Sequence, residues 1–115
     1  MVTALTFFLL STFHKLTCHH LTLFITLFHQ FFLVDYSQKY LKEYLREPVV
    51  VPVTNEYYKG SKNVRFMMGK SDGRAIMTQN WGEVVKDAMM EEKEMVVFRF
   101  TVGRNGRLKV NVASA

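Results

Sequence analysis

The chain changes character at Val34, and that break constrains its folding more than any motif does. Of the first 34 residues, 21 are apolar; this stretch holds seven of the ten Phe, has Lys15 as its one formal charge and lacks Gly and Pro. From Asp35 to Ala115 the remaining 14 basic and all 10 acidic residues are interleaved with apolar positions, the composition of a globular domain. A length of 115 residues allows one such domain with a single modest core. We therefore divide the chain into an apolar leader, residues 1–30, outside the domain core, and a domain spanning residues 31–115.

The leader fits no targeting pattern well. A secretory signal wants a positive start and a small-residue cleavage site, whereas Lys15 follows the apolar stretch Ala4 to Leu10 and no Ala-x-Ala follows it. A membrane helix over Leu16 to Val34 would be long enough but carries Thr17, His19, His20, Thr22, Thr26, His29 and Gln30, a costly polar load. A membrane contact through residues 1–34 is thus an alternative and not the favoured reading. His14 and Cys18 would share a helical face, with His19 and His20 adjacent, but a zinc site needs four ligands in paired spacings and no second pair follows. No metal and no cofactor is expected. The apolar residues of the leader show no sustained period, so it is not expected to pack on the domain.

In the second segment, Tyr40, Leu41, Tyr44 and Leu45 recur at helical spacing, giving a short amphipathic helix over Tyr36 to Leu45 that Pro48 stops. Val49 to Val53 is β-branched with Pro52 inside, which predicts a strand near a sheet edge. Asn55 to Asn63 is a connecting loop. Val64 to Met68 and Arg74 to Thr78 flank turn residues Gly69 to Gly73 and predict a hairpin. Asn80 and Glu83 resemble a capping box, and Trp81, Val84, Val85, Ala88 and Met89 form the buried stripe of a second helix. Met95 to Thr101 and Leu108 to Val112 alternate as strands around Gly103 to Gly106, a second hairpin in which Val96 and Phe98 face the core. The class is mainly β with two short helices, an α+β fold in which every strand pairing can be antiparallel, forming a small sheet or partly closed barrel. Trp81 is read as structural, anchoring its helix to the sheet with Val84, Val85, Val96 and Phe98.

All four His and the Cys lie in the leader, so the domain holds no Ser/His/Asp or Cys/His arrangement and no Gly-rich phosphate loop. An enzyme with a small-molecule substrate is not expected. The net charge of +5 permits an anionic partner without demanding one. Lys59, Lys62, Arg65, Lys70 and Arg74 gather with only Asp72 among them, and Arg99, Arg104, Arg107 and Lys109 form a second group without an acid. Such segregation either makes a positive face for a phosphate backbone or is an ordinary mixed surface.

The order of elements, with Ile76-Met77-Thr78-Gln79-Asn80-Trp81, Val84-Val85 and Met95-Val96-Val97-Phe98, resembles the plant B3 DNA-binding domain. The resemblance covers about Phe31 to Val112. It departs from the family at Asn80, where a Gly is usual, and at Lys93-Glu94, where a Gly-Asp turn is usual. It implies an open pseudobarrel that grips the DNA major groove with two arms, and a nuclear transcription regulator binding duplex DNA. In the family a strand, a DNA-contacting arm and a second strand precede the first helix; Phe31 to Val34 runs almost directly into Tyr36, so the domain is expected to be incomplete and to keep only the second arm. That arm corresponds to the hairpin loop Gly69 to Arg74, which makes Lys70, Ser71 and Arg74 the candidate DNA contacts, with Arg65 a lesser phosphate contact. With one arm missing, binding should be weak and salt-sensitive. The alternatives are a small membrane-tethered or exported β-rich binding domain and an inert fragment of the fold.

Overall fold

The computed structural model describes residues 18–57 and 60–115. Seven strands make one sheet: β1 (Cys18–Phe24), β2 (Gln30–Phe31), β3 (Val49–Asn55), β4 (Lys62–Met68), β5 (Ala75–Met77), β6 (Met95–Val102) and β7 (Leu108–Ser114). Between β2 and β3 runs α1, an irregular helix that is α over Val34–Tyr36, π over Ser37–Leu41 and 3₁₀ over Lys42–Tyr44. A regular helix, α2 (Trp81–Asp87), separates β5 from β6. The fold is mainly β with two helices, as the periodicities imply.

The strand order is β1-β6-β7-β3-β4-β5-β2, which puts the first two strands of the chain at opposite edges. A flat sheet of seven strands would hold its edges about 29 Å apart. The chain from Phe24 to Gln30 reaches at most roughly 21 Å when fully extended. The sheet must therefore curl, and it does so into a half-barrel whose two edges are joined by the connection 25–29. Every neighbouring pair is antiparallel except β3 and β7, which run parallel from Val53↔Val110 to Asn55↔Val112, correcting the all-antiparallel expectation. The strand containing Pro52 is internal, between β7 and β4, and not at an edge. Its parallel ladder with β7 starts at Val53, one residue past Pro52, which has no N–H to donate, while the antiparallel ladder with β4 runs through Pro52.

The placement of residues 18–30 overturns the division made at residue 30. Strand β1 pairs with β6 along its whole length, from Cys18↔Thr101 to Phe24↔Met95. Ile25 and Gln30 are each 1% exposed, and Leu21 and Leu23 pack on the core. Residues 1–17, with the Ala4 to Leu10 stretch and His14, lie outside the described residues. Cys18 and His19 lie on a strand and not on the helix expected for them. Among the described residues no helix is long and apolar enough to cross a membrane, and no group of His, Cys, Asp or Glu could hold a metal ion. Two of the polar residues that count against a membrane helix, Thr26 and Gln30, have other employment here. Gln30 Oε1 accepts from the Thr26 backbone N–H at 2.9 Å, while Nε2 donates to the carbonyls of Phe24 and Phe31, each at 3.2 Å. One buried amide thus satisfies the backbone of the tight turn that joins the sheet edges.

The core centres on Phe32, whose ring lies 5.3 Å from Phe66, 5.1 Å from Phe98 and 5.7 Å from Phe100. Trp81, Val84, Val85, Val96 and Phe98 are all buried, as expected. Trp81 stands 5.7 Å from Phe98, and its indole Nε1–H donates to the Thr26 carbonyl at 2.7 Å. The second helix is therefore hydrogen-bonded to the segment read as a leader. Two local expectations fail around it. Asn80 has a left-handed backbone, φ 72°, and its side chain makes no cap bond to the helix; its Nδ2 donates to the Asn63 carbonyl at 2.8 Å, tying α2 to β4. The helix stops at Asp87, so Met89 falls beyond it with φ 56° and 78% exposure, and Met90 is buried instead.

Two strands, β1 and β2, precede α1 and are joined by the short connection 25–29, which corrects the expectation that the chain runs into its first helix without such a pair. The connection is tied down where it begins: the Ile25 N–H donates to the Glu94 carbonyl at 2.8 Å, and the Lys93 N–H donates to the Ile25 carbonyl at 3.1 Å.

Candidate nucleic-acid interface

The hairpin joining β4 to β5 presents the loop Gly69 to Arg74. The Gly69 N–H donates to the Arg74 carbonyl at 2.6 Å and closes the loop at its base. The course of the loop favours glycine at both positions, Gly73 for its backbone and Gly69 for a close approach. Gly73 has φ 73°, a left-handed conformation costly to other residues, and a Cβ there would stand 2.8 Å from Gln38 Nε2; a Cβ on Gly69 would stand 3.0 Å from the Arg74 carbonyl. Gln38 Nε2 donates to the Gly73 carbonyl at 2.8 Å, and buried Ser37 accepts from the Ala75 N–H through Oγ at 2.9 Å. Helix α1 thus holds the loop at both its shoulder and the start of β5.

Lys70 and Ser71 are exposed at the loop's tip. Arg74 is engaged. Its Nε and one terminal nitrogen both lie 2.6 Å from Asp72 Oδ2, its backbone N–H donates to Oδ1 at 3.1 Å, and its guanidinium carbon sits 4.7 Å from the centre of the Phe31 ring. These hydrogen bonds from Arg74 hold the Asp72 carboxyl below its ordinary pKa. The other terminal nitrogen of Arg74 lies outside this pair, and the two nitrogens that face Asp72 become free for another acceptor only when Arg74 leaves it. Arg65 is not brought to the loop: it is half-buried on the outer face of β4 opposite Val50, about 13 Å of strand from Gly69. Its backbone N–H donates to the Gln79 carbonyl at 3.1 Å and its carbonyl accepts from Thr78 at 2.9 Å.

Sequence reasoning missed Gln38, Phe31 and the engagement of Asp72. The last had a local signal, since an Asp two residues before an Arg across a Gly makes an Asx-type turn that brings the two side chains together. Gln38 and Phe31 are far from the loop in sequence and carried no such signal.

Charge sorts by element more sharply than the sequence clusters suggest. The seven strands contain no Asp or Glu; all ten acids lie in helices, turns and connections. Lys62 is inward on β4 and pairs with Asp87 of α2 at 3.3 Å. Arg99 and Lys109 stand exposed on the outer faces of β6 and β7, and Arg104 and Arg107 on the turn between them.

No family model matches this chain, and no curated protein matches it. Among solved structures it is similar to that of a hypothetical protein of Arabidopsis thaliana, with a TM-score of 0.54 and 14% identity, covering 86% of this chain and 93% of the other. That share exceeds what residues 31–115 alone could supply, so the likeness takes in part of the segment before Phe31. The two chains have the same fold: an open, curled half-barrel of strands with accessory helices.

Proposed function

We propose that the chain is a duplex-DNA-binding module of the plant B3 type, acting as a nuclear transcription regulator through the loop Gly69 to Arg74. The observation that carries the reading is the loop itself: a turn closed by the Gly69 N–H, braced by α1, that offers Lys70 and Ser71 to solvent and holds Arg74 over the Phe31 ring. A braced loop loses little conformational freedom on binding, and a Lys and a Ser at its tip suit phosphate oxygens. Arg74 then exchanges the Asp72 carboxylate for a guanine edge or a phosphate, so Asp72 restrains affinity while it keeps the guanidinium in one orientation. The short first connection adds no Lys or Arg, which keeps the number of neutralised phosphates small and the binding weak.

The test is a fluorescence titration of the full chain with pooled duplex DNA at low ionic strength. Saturable binding that falls with added salt is expected. Lys70→Ala should weaken it across all sequences. Asp72→Asn, which removes a negative charge and releases Arg74, should tighten it. Absence of binding at low salt, or equal affinities for the three proteins, would end this reading.

A further inference from the structure

The parallel ladder between β3 and β7 spans only Val53 to Asn55 on β3, and a cleft of about 350 Å³ opens on the outer face of the sheet alongside it. It is lined by Pro52, Thr54 and Ser61 on one side and by Arg99, Thr101, Lys109 and Asn111 on the other. We propose that this cleft binds a phosphate-bearing anion, with Arg99 and Lys109 supplying the charge and Thr54, Thr101 and Asn111 the neutral hydrogen bonds. The site is separate from the Gly69 to Arg74 loop and does not depend on its role.

Four observations carry the proposal. The outer face forms a polar row across four strands, in register: His20↔Arg99 between β1 and β6, Arg99↔Asn111 between β6 and β7, and Thr54↔Asn111 between β3 and β7. Within it, Arg99 Nε donates to His20 Nε2 at 2.8 Å, which fixes the plane of the guanidinium while leaving its two terminal nitrogens outside that bond. Asn111 Nδ2 donates to Thr54 Oγ1 at 2.8 Å, so the Thr54 hydroxyl is held as an acceptor there and keeps its own hydrogen for a ligand. No strand contributes a carboxylate, and neither Arg99 nor Lys109 has an acidic partner among the described residues. Donors converging on a concave site without acids match a tetrahedral oxyanion better than a neutral ligand.

Pyrophosphate is the probe, titrated into the full chain while backbone amide shifts are followed. Saturable shifts confined to Thr54, Ser61, Arg99, Thr101, Lys109 and Asn111 are expected. Arg99→Ala/Lys109→Ala should weaken binding by about tenfold or more, since each removes a charge-assisted contact. Lys109→Glu, a change at an exposed position, gives the same loss without touching the Arg99–His20 bond. Shifts that are absent, or that do not saturate, overturn the proposal, as does unchanged affinity in a folded Lys109→Glu protein. A duplex arm identifies the source of the phosphate. If it is a DNA backbone, Arg99→Ala/Lys109→Ala weakens duplex binding as it weakens pyrophosphate binding; if it is a free anion, duplex affinity is unchanged while pyrophosphate affinity falls. Lys70→Ala should leave pyrophosphate binding intact, so failure of the loop reading and failure of the cleft are seen separately.

Discussion

Two connections in this molecule join strands near the β2 and β5 edge, and they are secured in opposite ways. The connection 25–29 is stitched to the core: Trp81 reaches Thr26, the Glu94 carbonyl and the Lys93 N–H hold Ile25, and Gln30 fills its inside. The loop Gly69 to Arg74 is secured from within, by the Asp72–Arg74 pair, with Gln38 and Phe31 as outside supports. The first spends its polar groups on itself and its neighbours; the second leaves Lys70 and Ser71 to solvent. A connection that closes a sheet carries stability, and a hairpin loop whose base is already closed is free to carry recognition.

The largest effect should come from removing the first connection together with its strand. Deleting residues 1–29 takes away β1 and the connection, strips β6 of its partner on one side and leaves the Trp81 indole without Thr26. Loss of cooperative thermal unfolding is the expected result, and retention of a sharp transition would show that residues 30–115 own a complete core. Trp81→Ala should cost about 3–5 kcal/mol, read from denaturant unfolding. Trp81→Phe keeps most of the ring volume while orphaning the Thr26 carbonyl, and should cost about 1–3 kcal/mol. If Trp81→Phe is neutral, the connection is held by packing alone.

The second connection should respond on a smaller scale. Gly73→Ala forces a side chain into a left-handed backbone and onto Gln38, a strain of about 1 kcal/mol that should move the amide resonances of 70 to 74 and leave those of 25 to 30 in place. The smallest effect is that of pH. Because the Asp72 pKa is lowered in the folded state, its contribution is present above the unfolded value, ordinarily 3.8, and is lost as pH falls through the folded value. The pair is exposed, so the amides of Asp72 and Arg74 should titrate below the ordinary carboxyl range while the melting temperature hardly moves.

How far the sequence could be read followed from how local each cause was. The hairpins, the Trp81 stripe as far as Ala88 and the final alternating strands rest on neighbours in sequence, and those expectations met the structure closely. Strand β1 was illegible because Phe24 faces outward: it fills a position where alternation calls for a polar residue, so Leu21-Thr22-Leu23-Phe24-Ile25 reads as an apolar run and not as a strand. Asn80 carries the signature of a helix cap, yet its side chain is claimed by Asn63, a partner that only the fold brings near. At the candidate interface the cations were legible as charge, whereas which of them are engaged depends on Asp72, Phe31 and His20.

The strand order also sets a timetable. Strand β1 leaves the ribosome early, but its partner β6 follows nearly the whole domain later, and the far edge that β2 joins is not built until β5 exists. Contacts so distant along the chain are slow to form, and until they do, a nascent segment rich in Phe and poor in charge is left without the surface it is meant to cover. Holdase chaperones select segments of that kind. The edge strands that close this half-barrel are therefore the ones most exposed to capture during synthesis, and raising the yield of soluble protein depends on how soon β6 arrives more than on how stable the finished sheet is.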